Sequence, residues 1–157
     1  MPLSDDHLRA IGRIVVAFNY LEERAEFTLQ VLMGDTPVDV WQALTVGEPF
    51  DRLIFRIGML TRLRLPYPDL LKELEAWMRE AKKVQDDRNR IVHTGWVRFE
   101  DAEDDVAVSL KMTSKNPFGD LRNYSPRDIH AIADRIGEVA DALEILTRRM
   151  RDLPMTE

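Results

Sequence analysis

The chain has no cysteine, which rules out disulfides, thiolate metal sites and cysteine nucleophiles and suits a reducing compartment. It has no long apolar run either. The densest one near the N-terminus, Ile14 to Phe18, falls far short of the ~20 apolar residues a membrane-spanning helix needs. Asp5 and Asp6 stand where a signal peptide would be basic, so a cytoplasmic protein without membrane association is expected. A Gly-rich phosphate loop, a Gly-x-Ser-x-Gly elbow and a His-Glu-x-x-His pair are all missing. The residues three before His7, His93 and His130 are Ser4, Arg90 and Arg127, so the Glu-x-x-His element of di-iron bundles is missing too. There is no internal repeat and no low-complexity segment.

What is present is a chain of 157 residues with a net charge of −6, long enough for one domain, 1–157, to bury a core unaided. A field of that sign repels a phosphate backbone as a whole. Basic residues nevertheless gather in the middle, from Arg52 through Lys83, Arg88 and Arg90 to Arg98, and acid follows at Glu100 to Asp105. The middle is therefore either a local anion-binding region or a solvated face with compensating helical pairs.

Ser4 is a helix cap followed by Asp5 and Asp6, and Gly34 is a stop. Between them Leu8, Ile11, Val15, Phe18, Ala25, Leu29 and Leu32 step by threes and fours, except that Glu22 stands where an apolar residue is due. Asp35-Thr36-Pro37 opens a short helix through Trp41 and Leu44. Gly47-Glu48-Pro49 then breaks the chain before a helix over about 50–65. From Asp69 to about His93 the stripe is Leu70, Leu74, Trp77, Ala81, Val84, Arg88 and Ile91, with arginine on the apolar line. Residues 96–99 and 106–112 predict a β-hairpin around the acidic link, and Thr113 to Tyr124, with Asn116-Pro117 and Gly119, predicts a loop. Ser125-Pro126 starts a final helix that buries Ile129, Ile132, Ile136, Val139, Leu143, Leu146 and Met150. These elements predict a mainly α fold: a four-to-five-helix up-and-down bundle with a small β-hairpin inserted at about 96–112, before the last helix.

Three polar features carry the chemistry. Glu22 and Arg88 on core lines are expected to meet or to line a cleft or interface, since a lone buried charge is costly; a register-fixing ion pair without chemistry is the alternative. Asn89 and His93 are four apart, so the amide is placed to orient the imidazole. Arg88 and His93 are five apart, about 140° around a straight helix, poor geometry for a compact site on one chain; a two-fold dimer could bring the corresponding groups of two helices together. His130 and Asp134 read as a surface hydrogen-bonded pair rather than a metal site. Trp41 and Trp96 are either core anchors or base-stacking rings.

The stretch Arg88-Asn89-x-x-x-His93, closing a long helix in a helical fold, resembles the motif of the HEPN superfamily, in which an arginine and a polar residue precede a histidine by this spacing. The resemblance implies a HEPN-like bundle over most of the chain outside the hairpin. It also implies a homodimer acting as a metal-independent endoribonuclease without cofactors, as a toxin or defence effector with RNA as substrate and an antitoxin protein as a possible partner. Other members have lost catalysis, and the alternative reading, a catalytically silent HEPN-like dimeric interaction or nucleotide/RNA-binding module, stays open here. Carried over, Arg88 holds phosphate, His93 takes the proton of a ribose 2′-hydroxyl and Asn89 positions either group. Glu22 and Asn19 support the site, while Arg90 and Lys83 contact RNA.

Overall fold

The computed structural model describes residues 3–97, 106–113 and 116–156. The fold is mainly α: the described residues form five helices, with a three-stranded antiparallel sheet ahead of the last. The helices are α1 (Asp5–Met33), α2 (Val38–Thr45), α3 (Phe50–Arg64), α4 (Pro68–Val92) and α5 (Pro126–Asp152). No helix among the described residues is long and apolar enough to cross a membrane.

Local chemistry sets the helix ends. Ser4 caps α1, its hydroxyl accepting the His7 N–H at 3.4 Å. Gly34 ends α1 at φ +64, a left-handed conformation costly for residues with a Cβ. The Arg64 guanidinium donates to the Leu32 carbonyl at 2.7 Å, satisfying one of the last acceptors of that helix. At the start of α5, Ser125 and Asp128 form a reciprocal cap: the Ser125 N–H and hydroxyl donate to the Asp128 carboxylate at 2.9 and 2.7 Å, and the Asp128 N–H returns a 3.2 Å bond to the Ser125 hydroxyl.

The strands are β1 (Gly95–Val97), β2 (Ala107–Thr113) and β3 (Asn116–Tyr124), in the order β1-β2-β3. The expected hairpin is thus a three-stranded sheet, and the segment read as a loop is its third strand. The breakers that disguised β3 are tolerated because it lies at an edge, where Pro117 removes no needed donor. Gly119, at φ +85, falls in an irregular stretch where the pairing jumps from Lys111 opposite Asp120 to Thr113 opposite Asn116. The acidic link Glu100 to Asp105 lies outside the described residues, as do Arg98 and Phe99.

The chain divides into two compact units, Met1–Phe18 with Lys83–Ile136 and Asn19–Lys82 with Gly137–Glu157. In the first, His7 is buried with both ring nitrogens used: Nε2–H donates to the Tyr124 carbonyl at 3.2 Å and Nδ1 accepts the Ser4 hydroxyl at 2.7 Å. Arg13 bridges His130 at 3.3 Å and Asp134 at 2.7 Å, so that pair is a surface contact with an arginine between its members. In the second, Trp77 donates its indole N–H to the Val139 carbonyl at 2.9 Å. The hydroxyls of Thr28 and Thr147 meet at 2.7 Å in the core. The tail is stitched to the end of α3, Thr156 donating N–H to the Arg64 carbonyl at 2.8 Å and its hydroxyl to the Leu63 carbonyl at 2.9 Å.

The buried lines of α4 and α5 are close to those expected, with Gln85 and Arg90 added on α4 and Ala133, Ala140 and Thr147 on α5. On α1 the line differs. The buried residues are His7, Ala10, Ile14, Phe18, Leu21, Ala25, Thr28, Leu29 and Leu32, while Leu8 is 39% exposed. Leu21, not Glu22, therefore occupies the core position, and Glu22 sits half-buried on its flank.

Candidate functional site

The last turn of α4 carries Arg88, Asn89 and Arg90, and His93 follows directly after Val92. Its backbone N–H donates to the Asn89 carbonyl at 3.1 Å, so the helical path persists to the histidine while its side chain is exposed. Arg88 Nη1 donates to His93 Nε2 at 2.7 Å. The two residues thus meet within one chain, although the helical angle between them predicts poor geometry there. The 140° separation applies to Cα positions on a straight helix; a long arginine side chain reaching along the groove toward the helix end spans it.

Asn89 also acts differently from expectation. Its side-chain oxygen accepts from Arg88 Nη1 at 2.9 Å, so the amide orients the arginine and not the imidazole. The guanidinium carbon lies 5.0 Å from the centroid of the Phe18 ring, a cation–π contact that supports a half-buried cation from below. Phe18 was legible only as an apolar member of α1; nothing local in the sequence pairs it with Arg88. The Nε–H of Arg88 is buried without an acceptor.

In the tautomer that carries its ring proton on Nδ1, Nε2 presents a lone pair to the Arg88 N–H. The arrangement is an imidazole nitrogen and a cationic fork of donors side by side at an exposed helix end. It can hold an anionic oxygen and accept a proton from a neighbouring hydroxyl once the arginine turns from the ring to the anion.

Arg90 leaves the set of RNA-contacting candidates. It is 6% exposed, donating from Nη1 to the Asp120 carboxylate at 2.5 Å and from Nη2 to the Asp120 carbonyl at 2.7 Å. It ties α4 to β3, and the physical reason is that this strand, unseen in the sequence, supplies its counter-ion. Lys83 and Asn19 are exposed. Trp96 is half-buried and packs edge-to-face on Tyr124, ring centroids 6.0 Å apart, and Trp41 is half-buried on α2.

Glu26 and Asp128 are carboxyls displaced from their ordinary range, and neither belongs to this cluster. Burial, then the neighbouring charge of Glu23, raises Glu26. The Ser125 backbone and side-chain hydrogen bonds lower Asp128, helped by Arg127. Among the described residues no group of three or more His, Asp or Glu is placed to hold a metal ion. Comparison with known proteins finds no family model, no curated protein and no solved structure that matches the chain.

Proposed function

We propose that the protein is a HEPN-type endoribonuclease whose working groups are Arg88 and His93. The observation that carries the reading is the 2.7 Å contact between the Arg88 guanidinium and Nε2 of an exposed His93. The arginine is steadied by Asn89 and Phe18. A phosphate entering the site draws Arg88 from the imidazole to its non-bridging oxygens, and Nε2 is released as a base. It takes the proton of the ribose 2′-hydroxyl, whose oxygen bonds to the adjacent phosphorus as the bond to the 5′ oxygen of the next nucleotide breaks. The imidazolium or water returns a proton to that leaving oxygen. Arg88 offsets the charge growing on phosphorus, a task suited to its planar fork. The products are a 2′,3′-cyclic phosphate end and a 5′-hydroxyl end.

In this reading the protein acts in the cytoplasm as a toxin or defence effector, as a homodimer that sets two such sites side by side, with an antitoxin protein as its restraint. The test is cleavage of a mixed pool of structured RNAs in EDTA, comparing wild type with folded His93→Ala and Arg88→Ala variants. Cyclic phosphate ends that vanish in both variants support the proposal. Cleavage that survives His93→Ala refutes it, and no cleavage by the wild type favours a noncatalytic interaction module.

A further inference from the structure

Between the later part of α1 and the later part of α5, inside the unit formed by Asn19–Lys82 and Gly137–Glu157, lies a cavity of about 520 Å³. Its walls follow from helical spacing. Arg24, Phe27 and Val31 stand three and four residues apart on α1, as do Glu144, Thr147, Arg148 and Arg151 on α5, so each set shares one helix side.

The charge inside is unbalanced. Among the described residues that line it Glu144 is the single carboxylate, and it is engaged by Arg148, by Arg24 at 3.9 Å and by the Tyr20 hydroxyl at 3.5 Å. Against it stand three guanidinium groups, in a chain whose net charge is −6. Arg24 is turned onto the Tyr20 ring, 4.7 Å from its centroid, and its Nε–H is buried without an acceptor. Thr147 spends its hydroxyl on Leu143 and Thr28. The polar recognition the cavity offers is therefore cationic. Its apolar wall is Phe27, 44% exposed, with Val31 beside it.

An occupant that satisfies both walls joins a compact anion to a flat apolar ring: guanidinium forks match phosphate oxygens, and an exposed aromatic face stacks on a base. The volume suits one nucleotide and no folded nucleic acid. We propose that this cavity binds a nucleoside monophosphate, with the phosphate against Arg148 and Arg151 and the base against Phe27. The site is independent of the ribonuclease reading, since none of its residues takes part in that chemistry.

The test is titration calorimetry of the full chain with AMP, adenosine and inorganic phosphate at low salt, repeated with Arg151→Gln and Phe27→Leu. Both positions are exposed, and circular dichroism checks that the variants are folded. AMP is expected to bind saturably at one site, with adenosine and phosphate each weaker by about 10-fold or more. Arg151→Gln is expected to weaken AMP by about 10-fold or more and Phe27→Leu by about 5-fold. Absence of saturable AMP binding at millimolar concentration overturns the proposal, as does unchanged affinity in Arg151→Gln. Phosphate binding as tightly as AMP would reduce the cavity to a nonspecific anion site. Tighter binding of a short RNA lacking terminal phosphates would exclude the monophosphate assignment.

Discussion

The Arg90 and Asp120 contact yields a prediction in which the order of effects matters more than their size. Arg90 is almost wholly buried, whereas the Asp120 side chain is 46% exposed and also lies 3.5 Å from Arg122. Asp120→Ala leaves a guanidinium inside the protein with only the residue-120 carbonyl as acceptor. Removing one member of a fully buried pair costs about 3–5 kcal/mol, and the exposed half of this pair lowers that to about 2–3 kcal/mol. Arg90→Met keeps most of the buried stem and removes the charge, leaving Asp120 to water and Arg122; its cost is about 1 kcal/mol for the carbonyl left without its donor. The double variant is then expected near the Arg90→Met value, more stable than Asp120→Ala alone, because the second change removes the charge stranded by the first. Urea unfolding followed by far-ultraviolet circular dichroism at neutral pH measures all four proteins, with an unchanged denaturant slope as the check on comparability. Single costs below about 0.5 kcal/mol, typical of surface sites, or strict additivity in the double variant, would refute the placement of Arg90. They would return it to the candidates for RNA contact.

Two further outcomes follow from the helix ends. The Asp128 carboxyl is held below its ordinary range by Ser125, so the stability it adds is fully present above the unfolded carboxyl value and is lost as pH falls through the lower folded value. The gap in unfolding midpoint between wild type and Asp128→Asn is expected to shrink below about pH 4, and a gap that stays constant down to pH 2 contradicts the cap. Gly34→Ala forces a Cβ into φ +64 and is expected to cost about 1 kcal/mol, with Gly34→Asn milder; a neutral Gly34→Ala in urea unfolding would refute the left-handed turn.

Much of the helical frame was legible because its signals are local. Ser4, Gly34 and Ser125-Pro126 announce ends by backbone chemistry that needs no partner, and α4 and α5 carry apolar lines dense enough to fix their inner faces. The α1 line was misplaced because the true one runs through His7 and Ala10, which do not register as apolar anchors, while Leu8 and Val15 on the flank do. That one-position error made Glu22 look like a charge in the core. Strand β3 was hidden by Pro117 and Gly119, residues that exclude a central strand but not an irregular edge.

At the candidate site, sequence supplied the residues and not their roles. Asn89 faces Arg88 because of the side-chain conformations, and periodicity carries no information about those. The Arg90 partner lies 30 residues away on the unseen strand, and no spacing rule reaches that far. Arg88 and His93 were separated by an angle drawn between Cα atoms, which ignores the reach of arginine at a helix terminus.

Neither unit is continuous in sequence: one needs residues up to 136 and the other needs 137–157, down to the bonds from Thr156 to Leu63 and Arg64. During vectorial synthesis α1, α2 and α3 leave the ribosome well before residues 137–157, which complete the second unit, exist. The nascent chain must therefore keep Ile14, Leu21, Leu29 and Ile57, all fully buried in the finished molecule, out of contact with other chains for most of its translation. Aggregation and proteolysis compete with folding throughout that interval.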